Sequence, residues 1–218
     1  MYNLLIKELR LGVHPFFYLM PFLTGALMLI PGWLYFLVIL YFCFLTIPNM
    51  FAGYKTQNDL IFSSMLPVTK KDIVKARIYV IVLLELLHLV VAMIYGAISV
   101  RFFPELVYYF FKPTFGFWGL CFVMIAIFNL IFISMYYKTA YKYGAATFAS
   151  IAGAMLFATG AEWLSIENAA IYEFFKGAGS DQLANHLFVF MAGIVIFALF
   201  TIIAYYIAIK RFQKVEAQ

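Results

Sequence analysis

Glu85 and His88 stand three residues apart inside the long apolar run "YVIVLLELLHLVVAMIYG". On a helix that spacing puts both side chains on one face. A buried carboxylate beside an imidazole can relay a proton or line a path for a polar solute. The same two residues also fit a hydrogen-bonded pair that steadies a helix bundle. Asn129, alone in "GLCFVMIAIFNLIFISM", has the character of a hydrogen-bonding contact between helices. His14 and His186 fall at the ends of apolar runs, where an interfacial position accounts for them. A second stretch carries a different chemistry. Residues 54–77, "YKTQNDLIFSSMLPVTKKDIVKAR", mix lysines, aspartates and an arginine with large apolar side chains around one proline. That stretch is too polar to cross a membrane and too apolar to be a plain solvated loop.

Several chemistries are absent from the chain. It contains no HExxH and no GxxxxGK[ST], so zinc-protease and nucleotide-binding signatures are missing. The glycine-rich turn around Gly177 carries no lysine after its last glycine. Cys43 and Cys121 lie within apolar runs and read as small buried hydrophobes, with no disulfide framework or zinc site. Uphill transport by this chain would draw its energy from an ion gradient or from another subunit.

Composition sets the elements that must position these residues. The 218 residues are 66% apolar and 11% charged, with a mean hydropathy of +0.97. Soluble domains hold roughly 45–50% apolar and about 25% charged residues. Apolar runs of about 20 residues, enough to cross a ~30 Å hydrocarbon core, recur along the chain. They do not alternate with period two, so an α-helical bundle is expected and not a barrel. The reading is an all-α integral membrane protein, one transmembrane domain over 1–218. Its six spans are expected at 15–32, 33–53, 78–100, 114–135, 144–164 and 185–209. The stretch "MYNLLIKELRLGVH" before the first span lacks a small-x-small cleavage site, so that span is expected to be retained.

Charge then orients the bundle. With the N-terminus inside, Lys7, Arg10, Lys55, Lys70, Lys71, Lys75, Arg77, Lys138, Lys142, Lys210, Arg211 and Lys214 fall on the cytoplasmic side. Only Arg101, Lys112 and Lys176 fall opposite, so the positive-inside bias puts both termini in the cytoplasm. Glu105, Glu162, Glu167, Glu173 and Asp181 gather at the outer side. The +5 net charge is a topology signal and gives no support for nucleic-acid binding.

Residues 2–13 have amphipathic helical spacing, with Asn3, Lys7 and Arg10 on one face and Tyr2, Leu5, Ile6, Leu9 and Val13 on the other. An interfacial helix against anionic headgroups and an ordinary basic flank both satisfy that pattern. Pro31-Gly32 should turn the first hairpin, and Pro48 should kink the second span or end it early. Within 54–77, Asn58 or Asp59 can cap a short helix bearing Leu60, Ile61, Phe62, Met65 and Leu66. Pro67 stops it and pushes Leu66 out of the helical region. Thr69-x-x-Asp72 is a capping-box pattern opening a helix that runs into the third span, with Lys70, Lys71, Lys75 and Arg77 at the surface. An apolar cytoplasmic knob results, and such a surface needs a partner, lipid or protein. In the fifth span Ala145, Ala149 and Gly153 recur every fourth position, as do Ser150, Ala154 and Ala158. Either an intramolecular contact or a dimer seam fits them. Residues 165–184 should hold a short external helix, "SIENAAIYEFF", before the "GAGSD" turn.

The stretch "ND…SSMLPVTKKDIVKARI" resembles the cytoplasmic signature of small bacterial ATP-binding-cassette type-2 permeases, in which N-D precedes S-L-P-V-[ST]-[RK]-K-D-I-V. Asn58, Asp59, Ser64, Leu66, Pro67, Val68, Thr69, Lys70, Lys71, Asp72, Ile73 and Val74 occupy those positions, with Met65 interposed. "MYYKTAYKYGAAT" is similar to the family's "YYKFGY"-like block, broken here by Thr139-Ala140. The resemblance implies a permease subunit of an exporter in the bacterial cell membrane. It would work with two cytoplasmic ATPase subunits and a second permease chain, identical or different. ATP and Mg would sit on the partner ATPase, and this chain would bind no cofactor or metal. A coupling helix would fall on Asn58, Asp59, Leu60, Ile61, Phe62, Met65, Leu66, Pro67 and Thr69, with Lys70, Lys71 and Asp72 at its rim. The membrane subunits of phenol-soluble-modulin exporters are similar in size, which implies an amphipathic peptide as cargo. Two other readings stay open on the residues alone. One is a gradient-driven transporter or channel using Glu85 and His88, and the other is a membrane scaffold or immunity protein.

Overall fold

A computed structural model of the chain describes residues 2–103, 111–139, 142–176 and 180–215. Glu105, Ala140 and the turn at Gly177 lie outside the described residues, as do the side chains of Leu60, Lys176 and Asp181. Every regular element among the described residues is helical. Five helices among the described residues are long and apolar enough to cross a membrane, and a bent helix pair at the N-terminus makes a sixth crossing if counted as one span.

That N-terminal pair begins with α1 (Tyr2–Lys7), which widens into a π-helical turn over Glu8–Gly12. Glycine is required at position 12, because a Cβ there would lie 2.6 Å from the Tyr54 ring. His14 Nδ1 accepts the Phe16 backbone N–H at 3.2 Å and so starts α2 (Phe16–Gly25), which ends in the 3₁₀ turn Ala26–Leu29. The two limbs of the pair are bent by 67°. At 1.5 Å per residue, α2 with its 3₁₀ turn rises only about 20 Å, short of a ~30 Å core. The first expected span is therefore a short limb that reaches span length only together with α1.

Pro31-Gly32 makes the expected turn, with Gly32 at φ +73° and the Trp33 N–H reaching the Ile30 carbonyl at 3.4 Å. The next helix, α3 (Tyr35–Thr56), runs past Pro48 without ending. A π-helical turn over Phe42–Thr46 precedes the proline and shifts the hydrogen-bond ladder where position 48 has no N–H to give. Two turns of helix follow as α4 (Asp59–Met65), then the 33-residue α5 (Lys70–Phe102), α6 (Phe115–Thr139), α7 (Gly144–Glu167), α8 (Ala169–Lys176) and α9 (Ser180–Phe212). Asn168 separates α7 from α8, its Oδ1 accepting the N–H groups of Ala170 and Ile171. Ser165–Glu167 accordingly end α7 and do not open the external helix.

Helix α6 is the most enclosed span and packs most extensively against α9, then α7. The α6–α9 contact is backbone against backbone: a side chain at Gly193 would overlap the Gly119 carbonyl, and one at Gly119 would overlap Val189. On α7 the stripe Ala146, Ser150, Ala154 and Ala158 is buried. Gly153 packs on Ile131 of α6, whereas Ala149 is half-buried and Ala145 exposed. The outward faces of α7 and α9 carry bare apolar side chains such as Phe148, Leu156 and Phe188, as expected for surfaces in lipid or against another membrane chain.

Candidate functional site

Three segments far apart in the sequence meet at one end of the bundle: α1, α4 and the first turns of α5. The stop and restart between α4 and α5 follow the residue types. Leu66 is extended at φ −78°, ψ 149°, ahead of Pro67. Thr69 and Asp72 then form a full capping box: Thr69 Oγ1 accepts the Asp72 N–H at 3.1 Å, and Asp72 Oδ2 accepts the Thr69 N–H at 3.3 Å.

The α4 helix has two faces. Asp59 and Ser63, one turn apart, point into the protein, while Ile61, Phe62 and Met65 point away from it, Met65 being 78% exposed. Asp59 receives hydrogen bonds from Lys7 Nζ and Arg77 Nη2. Lys7 also donates to Ser63 Oγ at 2.9 Å and pairs with Glu8 at 3.2 Å, and Arg77 lies 3.5 Å from the same Glu8 oxygen. The Arg77 guanidinium stacks 4.0 Å from the centroid of the Tyr54 ring. Glu8 and Arg77 are almost fully buried. Two cations and two anions thus close a neutral buried network joining α1, α4 and α5.

This network corrects several expectations. Neither Asn58 nor Asp59 caps α4 with its side chain. Asn58 instead takes the left-handed conformation at φ 50°, and its backbone carbonyl accepts from Ile61 and Phe62. Asparagine tolerates that region better than most residues, and the Asp59 carboxylate is engaged by the cations. Leu66 turns back, half-buried against the core, and is not part of the outward knob. Lys7 faces the interior and does not share the solvent side with Asn3 and Arg10. At the rim Lys71 is exposed, whereas Lys70 donates to the Val215 carbonyl at 2.6 Å and lies over the Phe212 ring. Helix α1, the residues that follow α9 up to Val215, and the α4 corner therefore occupy one end of the bundle.

Glu85 and His88 are both buried, and each finds its partner on a different helix. Asn129 of α6 donates to Glu85 Oε2 at 2.9 Å, and His88 Nε2 contacts the Val38 carbonyl of α3 at 2.8 Å. These contacts join α5 to α6 and α3, and no hydrogen bond links Glu85 to His88 among the described residues.

Sequence reasoning missed Glu8, Tyr54 and the inward turn of Lys7 and Arg77. The signal was present: Glu8 is one turn from the buried Leu4, and Arg77 is one turn from the buried Ile73 and Ile81. An acid and a base each set within an apolar stripe mark buried partners and not surface charge.

Over residues 3–213 the chain matches the profile described as ABC-2 family transporter protein, and it belongs to that family. Such proteins are membrane transport components that normally work with a cytoplasmic ATPase subunit. No curated protein and no solved structure matches the chain.

Proposed function

We propose that α4 is the coupling helix of an exporter: it docks into a cytoplasmic ATPase subunit and passes that subunit's motion to the bundle. The observation that carries this reading is the exposed Ile61–Phe62–Met65 face on a helix whose other face is held by the buried network. A docking element needs both properties, an apolar surface to bury and a rigid attachment behind it. Lys71 supplies a basic rim. The chain contributes no nucleotide-binding motif, so ATP and Mg belong to the partner. The proposed setting is the bacterial cell membrane with both termini and α4 on the cytoplasmic side. The gathering of Lys7, Lys70, Lys71, Lys75, Arg77 and Arg211 at the α4 end supports that orientation. A second permease chain would meet this one through the bare apolar faces of α7 and α9. The proposed cargo is an amphipathic peptide.

The test is co-purification of this chain from native membranes with whatever ATPase subunit it binds, identified by mass spectrometry. Burying Phe62 and Met65 is worth about 1.5–3 kcal/mol each, so Phe62→Asp or Met65→Asp should weaken association by at least about tenfold. Full ATPase recovery and full transport in both variants would refute the coupling role.

A further inference from the structure

At the end of the bundle away from α4, a groove of about 360 Å³ runs between α3 and α7. Leu34, Leu37 and Leu40 form one wall, and Met155, Trp163 and Ile166 form the other. Among the described residues, Glu162 is the one charged residue that lines it. Its side chain is 8% exposed, and among the described residues no donor makes a hydrogen bond of normal geometry to either carboxylate oxygen. The Phe111 backbone amide faces the carboxyl but makes no hydrogen bond of normal geometry. An acid this deeply set in an apolar wall is costly unless it meets a donor.

Charge and shape together select the occupant. An anion would be repelled, and a neutral apolar ligand would leave the carboxylate unsatisfied. A divalent metal takes six or more oxygens, and no group of three His, Cys, Asp or Glu capable of holding a metal exists among the described residues. An ammonium group on an apolar stem satisfies both the carboxylate and the walls. The volume is at the small end of ligand pockets, roughly 300–1,000 Å³, enough for a lysine side chain and one or two apolar neighbours. Trp163, 61% exposed at the rim, offers an aromatic face to the same cation.

We propose that the groove binds a lysine side chain of an amphipathic peptide, its ammonium against Glu162 and its stem between the α3 and α7 walls. This names a cargo contact for the exporter described above and rests on that reading for its physiological role, though not for its chemistry.

The test uses the purified chain in phosphatidylcholine nanodiscs, with no ATPase present. The probe is a fluorescein-labelled amphipathic helical peptide carrying one lysine and no other cation, and its lipid partitioning is subtracted with empty discs. The wild-type protein should bind it at least tenfold more tightly than the same peptide with norleucine in place of lysine. Glu162→Gln should abolish that preference, and Thr159→Trp, which puts a large ring into the groove that Thr159 lines, should weaken both peptides. Equal binding of lysine and norleucine peptides to the wild type, which needs no variant to fold, would overturn the proposal. An unchanged preference in Glu162→Gln would do the same, and so would dodecylamine displacing the probe more effectively than unlabelled peptide, which would assign the groove to an amino lipid. Failed peptide binding with intact ATPase association would count against the groove alone. Peptide binding without ATPase association would count against the transporter reading alone.

Discussion

Replacing Arg77 by methionine keeps the volume of the side chain and removes one of the two cations in the α1–α4–α5 network. Glu8 and Asp59 would then share Lys7 alone, in a site where Glu8 is 0% and Asp59 6% exposed. Removing one partner of a buried pair costs about 3–5 kcal/mol, because the surviving charge stays desolvated. At 1.4 kcal/mol per decade, the equilibrium for local opening of α1 and α4 should rise by roughly two to four orders of magnitude. Hydrogen exchange with mass spectrometry on the reconstituted protein measures this directly. Peptides covering 2–12 and 59–65 should lose protection together in Arg77→Met, while those from α8 (Ala169–Lys176), at the other end of the bundle, should be unchanged. Adding Asp59→Asn restores neutrality and should recover much of the loss, giving a coupling energy above about 1 kcal/mol in the double-mutant cycle. Less than threefold change in both segments, or additive single substitutions, would refute the view of the four charges as one unit.

The other predictions concern helix contacts. Gly193→Leu should prevent α6 and α9 from closing, and size-exclusion chromatography should show no monodisperse protein; a well-behaved variant would disprove the backbone contact. Asn129→Leu leaves Glu85 without its donor and should destabilise the bundle by about 1–3 kcal/mol, read by unfolding in mixed detergent micelles. The double substitution with Glu85→Leu should recover most of that loss. Thr69→Ala should cost about 0.5–2 kcal/mol and speed exchange only in the first turn of α5; uniform loss across the helix would argue against a local cap.

The parts of this fold that local rules govern were legible in the sequence. Pro31-Gly32, Pro67 and the Thr69–Asp72 box act within four residues of themselves, and each does in the structure what its chemistry requires. The long apolar helices followed from composition in the same way. What escaped were contacts between distant positions. Lys7 reads as a basic flank until Asp59 is brought to it across 52 residues. Gly119 and Gly193 lie 74 positions apart, and neither belongs to a run of small residues that would mark a seam. Spacing along α5 puts Glu85 and His88 on one face, but α6 and α3 give each of them a hydrogen-bond partner of its own. Pro48 shows a local rule absorbed by local geometry, because the π-helical turn upstream lets the span continue.

Helix α5 has a mechanical consequence. Its 33 residues contain no proline, its first turn is clamped by the capping box, and Arg77 bolts it to α4. At 1.5 Å per residue it is a rod of about 50 Å, longer than the hydrocarbon core is thick. Tilting such a rod by about ten degrees at the α4 end swings its far end by roughly 8 Å. Were a partner to push on Phe62 and Met65, as proposed for α4, the rod would carry that displacement to the opposite side of the bundle, with no proline joint along the way to absorb the stroke.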